Sequence, residues 1–242
     1  MQHFDTVLIG SGYSSIGYAA GNGSTLIVEE QEIVDTHFYL PLRSYRYSPH
    51  KPLTREGAAL DGVFRSLGLF CGDMQNTNGF EPALCRYLDE HPVPILLKSR
   101  VVEVEESDKG YTLTLSTNEG LLRVSCNRMY DTRTAGAKIL TVLLSAENRA
   151  DAENAATATG WELEDAFHPG WYALHIPDPG LDENRVKLMV HEVLSALPGI
   201  RILAIAPVYA RKSENVLLSD DSYGNPIAAF EAGYLLGKES AK

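Results

Sequence analysis

Val7-Leu-Ile-Gly-Ser-Gly-Tyr-Ser-Ser-Ile16 lies near the start of the chain and joins a short apolar run to a glycine turn and a helix of small residues. A second apolar run follows at Leu26-Ile-Val28 and ends in Glu29. The order of strand, Gly-x-Gly turn, helix, strand and acid is typical of a site for a cofactor that contains ADP. This stretch therefore predicts the first strand–helix–strand unit of a parallel sheet.

Each part of this unit has a physical reason. Gly10 permits the tight turn, and Gly12 has no side chain, so a pyrophosphate can come close to the backbone. The N-terminus of the helix presents unpaired N–H groups and a partial positive charge to the phosphates. Glu29 stands at the end of the second strand, where its carboxylate can accept hydrogen bonds from a ribose diol.

The unit also departs from the usual pattern. Ser15 stands where G-x-G-x-x-G has its third glycine, and the span from Gly10 to Glu29 is about one helical turn shorter than such units usually are. A purely structural glycine turn is one alternative interpretation. A methyltransferase is another, because its first motif also runs strand, Gly-x-Gly and acid.

Bulk properties narrow the class of protein. The chain of 242 residues has a formal net charge of −11 at pH 7, which argues against nucleic acid or an anionic membrane as its main partner. No apolar run approaches the roughly 18 residues of a membrane span, and the N-terminus has no basic region of the secretory type. We expect a cytoplasmic protein that binds a small-molecule substrate, with substrate and oligomeric state left open.

The cysteines and histidines indicate no metal centre. Cys71, Cys85 and Cys126 lie far apart without a C-x-x-C pair, and the seven histidines show no metal spacing. Cys71 is interpreted as a buried inert thiol, with a position facing the cofactor as the alternative. No catalytic acid or base can be identified from the sequence.

Residues 31 to about 80 form a long segment rich in aromatic residues and proline. Loops of this length inside a compact domain are usually functional. Arg43 and Arg46 can bind a pyrophosphate or a substrate carboxylate through their planar guanidinium groups. Ordinary surface cations on an edge strand are the alternative interpretation for both.

The middle of the chain predicts an antiparallel meander. Residues 101–105, 111–115 and 121–125 alternate between apolar and polar side chains, and turn sequences ending in Gly110 and Gly120 separate them. A helix from residue 78 and a buried strand precede the meander, and a strand leading into Asp131 follows it. Beyond these, we predict further strands and one amphipathic helix, while 150–159 is either a helix or a loop.

The C-terminal part predicts a strand at Asn215-Val-Leu-Leu218, then the segment from Ser219 to Pro226 and a helix over residues 227–236. The N-terminus of that helix can stabilise negative charge on a bound group. A solvated turn with an N-cap is the alternative interpretation for Asp220.

These features together resemble the FAD domain of the glutathione-reductase-like flavoprotein superfamily. The resemblance rests on the dinucleotide unit, the meander, the strand leading into Asp131-Thr-Arg-Thr-Ala-Gly136 and the turn from Asp220 to Pro226. Within the superfamily, the chain is most similar to the amino-acid-oxidase-like and aromatic-hydroxylase-like branch. The fold class implied is α/β: a Rossmann-like FAD-binding domain, whose parallel sheet carries a three-stranded antiparallel meander, with a small α+β substrate-side subdomain.

The resemblance implies a discontinuous FAD-binding domain made of residues 1–30, 78–136 and 213–242. Residues 31–77 and 137–212 would form the substrate-side subdomain.

The resemblance also implies FAD as the cofactor. Gly10, Gly12 and Ser15 would hold the pyrophosphate, Glu29 the adenosine ribose and Asp220 the ribityl chain. The full set of implied cofactor-binding residues is Gly10, Gly12, Tyr13, Ser14, Ser15, Glu29, Glu30, Arg43, Val102, Thr132, Gly136, Asp220, Asn225, Pro226 and Ile227.

The activity implied is that of an oxidoreductase in which a small organic substrate gives hydride to the flavin. The alternative is an FAD-binding or nucleotide-binding protein without catalytic turnover. Under that alternative, Ser15 and the short first helix mark the degeneration of the site.

Overall fold

In the part of the chain that the structure describes, the protein has two large β-sheets, each with helices packed against it, and a small two-stranded sheet. They are seen in a computed structural model that describes residues 1–34, 38, 48–133, 138–177, 182–206, 209–210, 218, 220 and 223–241. The strands are β1 Gln2–Ile9, β2 Thr25–Val28, β3 Phe70–Cys71, β4 Met74–Gln75, β5 Ile95–Leu96, β6 Arg100–Ser107, β7 Gly110–Thr117, β8 Gly120–Asp131, β9 Lys138–Ala146, β10 Glu162–Asp165, β11 Trp171–Pro177, β12 Ile200–Ile205 and β13 Tyr209–Ala210. The helices are α1 Tyr13–Gly21, α2 Arg55–Ser66, α3 Phe80–Glu90, α4 Arg149–Thr159, α5 Glu183–Ser195 and α6 Pro226–Ser240, with a 3₁₀ turn at Thr77–Gly79.

The first sheet is mixed, with strand order β5-β2-β1-β8-β7-β6. β5, β2, β1 and β8 pair in parallel, whereas β8, β7 and β6 pair antiparallel. The predicted parallel start and the predicted meander are therefore both present, with Gly110 and Gly120 at φ 116° in the two hairpin turns. The third meander strand and the strand that follows it are one continuous strand, β8, which pairs with β7 on one side and with β1 on the other.

The second sheet is antiparallel and runs β10-β11-β9-β12, with β13 also paired to β9. One of its faces is covered by α4 and α5, and Leu140, Val142 and Leu144 of β9 contribute to that core. Residues 150–159, left undecided by the sequence, belong to α4, because Asn148 caps the N-terminus of this helix and Gly160 ends it in the left-handed conformation. The opposite face carries a smaller apolar cluster, against which Met74 of β4 packs.

The backbones of helices α1 and α6 are in van der Waals contact where the two helices cross. A Cβ atom on Gly17 would lie 1.9 Å from the Phe230 carbonyl oxygen, and one on Gly233 would lie 1.9 Å from the Ser14 carbonyl oxygen. One turn further along, Gly21 and Gly237 repeat this pattern. Only glycine permits this approach, so α6 brings the C-terminal part of the chain directly against the first turn of α1.

Aromatic side chains fill the core beside α1. The Tyr13 ring is fully buried, and its centroid lies 5.5 Å from that of Phe38, 6.1 Å from that of Phe64 and 6.4 Å from that of Phe80. Phe64 belongs to α2, which therefore packs into the same core as α1 and α6. The substrate-side role of residues 31–77 stays a prediction, although α2 also contributes to the core of the first sheet.

No helix in the part of the chain that the structure describes combines the length and the apolar composition required to span a bilayer.

The three free cysteines are expected to differ in reactivity. Cys71 is exposed, contrary to the interpretation of this thiol as buried. Cys85 is exposed as well, but partial burial of its thiol raises its pKa to about 12, with a further contribution from its hydrogen bond to Glu81, and burial also raises the pKa of Cys126. Because the thiolate is the reactive form, a disulfide reagent at about pH 8 should modify Cys71 first.

The number of thiols that react rapidly in the native protein, followed by absorbance, tests this order. Cys71→Ser should abolish the fast phase, and full reactivity of all three should appear only in denaturant. A fast phase that persists in Cys71→Ser would contradict the expected order.

Candidate functional site

The glycine turn stands at the carboxyl end of β1 and is wholly buried. Gly10 has φ 111°, and a Cβ atom there would lie 2.8 Å from the Thr132 hydroxyl. Gly12 is the N-cap of α1 in extended conformation, and it has no side chain with which to accept from the first N–H groups of the helix. These amides therefore need an acceptor from elsewhere in the chain.

Asp220 supplies that acceptor. Its carboxylate accepts from the backbone N–H of Tyr13 at 2.7 Å and of Ser14 at 2.9 Å, and it also lies within hydrogen-bond distance of the Ser14 hydroxyl. Asp220 is completely buried. Asp220 was predicted to contact the ribityl chain, but its carboxylate binds the amides that were predicted to hold the pyrophosphate. The N-terminus of α1 therefore binds an anionic group, here the carboxylate of Asp220.

Glu29, at the end of β2, binds the same turn from the other side. Its carboxylate accepts from the backbone N–H of Ser11 at 2.9 Å, from the Ser11 hydroxyl at 2.8 Å and from the backbone N–H of Gln31 at 2.9 Å. An ionised carboxylate has about four lone-pair sites, so these donors leave one for a further hydroxyl group. Glu29 is only 5% exposed, and its orientation follows from these bonds.

Ser15 and Thr132 join α1 to the end of β8. The Ser15 and Thr132 hydroxyls are 3.0 Å apart, and the Thr132 hydroxyl lies 2.9 Å from the Ile9 carbonyl oxygen. The serine in place of the third glycine therefore fits its position, because its hydroxyl has a partner in the buried interface.

A rim of charged side chains lies above this turn. The Arg133 guanidinium donates to Asp131 at 2.7 Å and 3.0 Å and to Glu30 at 2.6 Å. Hydrogen bonding to Asp131 raises the pKa of Arg133, and the negative charges of Glu30 and Glu29 act in the same direction. Glu30 is thus paired with a cation at the carboxyl ends of β1, β2 and β8.

The start of α6 is fixed by Asn225. Its side-chain oxygen accepts from the backbone N–H of Ile227 at 2.8 Å, and its amide nitrogen donates to the Ser48 carbonyl at 2.9 Å. Pro226 occupies the first turn, where its missing N–H costs no hydrogen bond. The Tyr223 N–H donates to the Asp220 carbonyl at 3.0 Å, three residues before the first residue of α6.

Two polar clusters were missed in the sequence. On α6, the Glu231 carboxylate accepts from His50 at 2.6 Å, from the backbone N–H groups of Leu53 and Thr54 at 2.7 and 2.6 Å, and from the Thr54 hydroxyl at 2.7 Å. Glu231 thereby fixes the start of α2, of which Thr54 is the N-cap. The sequence signal for this cluster was an acid among the mostly apolar residues 227–236 of the helix.

The second cluster lies on the face of the second sheet that α4 and α5 do not cover. The His175 ring is 3.0 Å from the Thr141 hydroxyl and 3.1 Å from the Glu164 carboxylate. Thr141 and His175 are paired across β9 and β11, while Glu164 comes from β10. The alternation along each strand determines which side chains share a face of that strand. The order of the strands, which brings these three side chains together, is decided only by the tertiary structure.

The predicted cofactor-binding residues only partly come together. The turn, Glu29, Glu30, Thr132, Asp220 and the start of α6 share one region of the molecule. Val102 lies on β6 with its side chain 53% exposed, two residues after Arg100, whose guanidinium is 3.9 Å from the Glu30 carboxylate, and a cofactor contact of Val102 stays a prediction. Arg43 and Gly136 lie outside the described residues.

Among the residues that the structure describes, no group of three or more His, Cys, Asp or Glu side chains is arranged to hold a metal ion.

Neither protein-family models nor curated protein sequences match the chain. Solved structures do. A geranylgeranyl bacteriochlorophyll reductase-like protein from Thermoplasma acidophilum has a TM-score of 0.57 at 12% identity, with 100% of this chain and 78% of that chain covered.

Two hydroxylases are also similar in structure. The anhydrotetracycline hydroxylase from Streptomyces rimosus has a TM-score of 0.57 at 12% identity, with 99% of this chain and 62% of that one covered. Aklavinone-11 hydroxylase, in a complex with FAD and aklavinone, has a TM-score of 0.53 at 14% identity and coverages of 100% and 62%. The chain thus spans less than two thirds of either hydroxylase, and it shares with these proteins a mixed α/β fold.

Proposed function

We propose that the protein binds FAD and is a flavin-dependent oxidoreductase. The observation that carries the proposal is the anion-binding terminus of α1, set between the ends of β1 and β2 in a fold shared with two hydroxylases, one of them solved in complex with FAD. In such sheets, ligands bind at the carboxyl ends of parallel strands.

The donors at this terminus are of the kind that FAD requires. The Tyr13 and Ser14 amides and the Ser14 hydroxyl already bind one carboxylate, which stands in for a phosphate group. Glu29 retains an acceptor site for a ribose hydroxyl beside the same turn. These residues would hold the diphosphate and the adenosine ribose.

The chemistry that FAD supplies when bound is two-electron exchange, and we propose that a small organic substrate gives the hydride and a second acceptor removes the electrons. The chain would contribute charge and orientation. Asn225 and Pro226 begin α6, whose N-terminal partial positive charge can stabilise an anionic group. The face of the second sheet opposite α4 and α5, with the buried His175, would lie on the substrate side.

The visible spectrum of the purified protein tests this proposal. We expect flavin absorbance near about 450 nm, either as isolated or after addition of FAD and removal of the excess. A colourless protein that also takes up no FAD, as followed by quenching of flavin fluorescence, would contradict the proposal.

Glu29→Ala should weaken FAD binding by about 1–3 kcal/mol, or roughly 5- to 150-fold, the scale of a lost hydrogen bond to a charged group. Fluorescence titration of the cofactor-free variant measures the change. Glu32→Ala is the matched control, because this nearby glutamate pairs with Lys98 on the surface. If the two variants bound FAD with equal affinity, Glu29 would not belong to the FAD site.

A second candidate function is nucleotide binding without turnover. It is favoured by Asp220, which already satisfies the amides that a diphosphate would use. A protein that keeps only the adenosine half of the site should bind ADP and FAD equally well, whereas a complete flavin site should bind FAD more tightly. Comparison of the two affinities by calorimetry therefore separates the candidates.

A further inference from the structure

We propose that Asp220 is an internal anion that closes the phosphate-binding end of α1 in the cofactor-free protein, so that cofactor uptake exchanges one anion for another. This inference rests on the proposed FAD function and concerns the regulation of that same site. It begins from Asp220, which is 0% exposed and lies on the amides of Tyr13 and Ser14.

The exchange follows from the limited number of donors. Gly12 offers no side-chain cap, so the first N–H groups of α1 have to find an acceptor outside the helix. A buried carboxylate and a diphosphate cannot both lie against the same two amides, since they compete for the donors and repel each other. Asp220 therefore has to leave before a diphosphate can bind.

The backbone is strained at Leu218, two residues before Asp220. Leu218 has φ 61°, a left-handed conformation that is unfavourable for residues other than glycine. Its carbonyl lies 2.7 Å from the Ser14 hydroxyl, so Leu218 and Asp220 both bind the first turn of α1. Displacement of Asp220 would break this anchorage and allow Leu218 to relax, as expected of strain stored at a functional site.

ADP is the probe of choice, because it carries the diphosphate, the ribose and the adenine but has no ribityl chain. An effect of Asp220 on the ribityl end of FAD therefore does not enter the measurement. Asp220→Asn removes the charge at nearly constant size. Asp108→Asn, in the exposed turn between β6 and β7, is the matched control for the change in net charge.

In calorimetric titrations of the cofactor-free proteins, we expect Asp220→Asn to bind ADP about tenfold more tightly than the wild type or better. Asp108→Asn should stay within about twofold of the wild type. An Asp220→Asn variant that binds ADP no more tightly than the wild type would overturn the inference, while FAD binding by the wild type would leave the proposed function standing. If neither protein binds ADP or FAD, the proposed function itself fails.

Hydrogen exchange on the wild type provides a second test that does not depend on the folding of a variant. The first amides of a helix normally exchange fast because no intrahelical carbonyl accepts from them. In the cofactor-free protein, we expect the Tyr13 and Ser14 amides to be protected to a similar degree as the interior of α1. Rapid exchange at both positions would show that Asp220 does not close the site.

Discussion

Gly233→Ala is expected to lower the free energy of unfolding by about 2–4 kcal/mol, although alanine is the better helix former. The added Cβ atom would lie 1.9 Å from the Ser14 carbonyl oxygen, so α1 and α6 would have to move apart along their whole contact. A backbone atom cannot rotate away as a flexible side chain can. Urea denaturation followed by circular dichroism measures the change.

Gly62→Ala is the matched control for this substitution. Gly62 lies within α2, and a Cβ atom there would meet nothing within 4 Å. Removal of backbone freedom from the unfolded chain should therefore stabilise this variant by about 0.5–1 kcal/mol. If Gly233→Ala were equally stabilising, the close crossing of α1 and α6 would be disproved.

Glu231→Ala should lower the free energy of unfolding by about 3 kcal/mol, because it removes the buried carboxylate that accepts from His50, Leu53 and Thr54. The Glu231 side chain is 2% exposed and binds His50 together with the start of α2. Loss of this carboxylate leaves the Thr54 amide without its acceptor and frees the segment around His50. The exposed Glu239 on the same helix provides a control, since Glu239→Ala should change stability by less than about 0.5 kcal/mol.

The stabilising effect of Glu231 should also depend on pH. Burial acts to raise the pKa of Glu231, but the hydrogen bonds from His50, Thr54 and Leu53 outweigh it, and the pKa is lowered from the usual 4.5. The contribution is therefore complete above pH 4.5 and is lost as the pH falls through the lower pKa of the folded state.

The difference in stability between wild type and Glu231→Gln, measured by denaturation at several pH values, should accordingly shrink in acid. A difference that grows as the pH is lowered would show that the carboxylate is stabilised in its protonated form instead.

Gly233→Ala and Glu231→Ala should both affect the candidate cofactor site, because α6 contacts several of its parts. Gly233 sets the distance between α6 and the turn that binds Asp220, and Glu231 fixes the segment that also supports Asn225 through Ser48. A change in the packing of α6 should therefore affect anion binding at α1 even though no residue of the turn is altered.

Much of the fold was predictable because its elements are specified locally. The run into Gly10 and the acid after Val28 identified β1, α1 and β2, and alternation with glycine turns identified the meander. Apolar residues recur with the period of a helix or strand, and glycine is required where a turn needs a positive φ. Both patterns depend only on residues that are close together in the sequence. The helix at 149–159 remained undecided because its alanine-rich sequence has little periodicity.

The sequence by itself determined that strand, glycine turn, helix and acid form one unit, since each of these steps depends on residues close together in the chain. Only the tertiary structure decided what the unit binds in the cofactor-free protein. Asp220 is 206 residues from Ser14 in sequence, and its carboxylate reaches the amides of α1 because the glycines of α1 and α6 allow the two helices to touch. Hydrogen bonds between such distant residues depend on the path of the whole chain, and no local pattern encodes them.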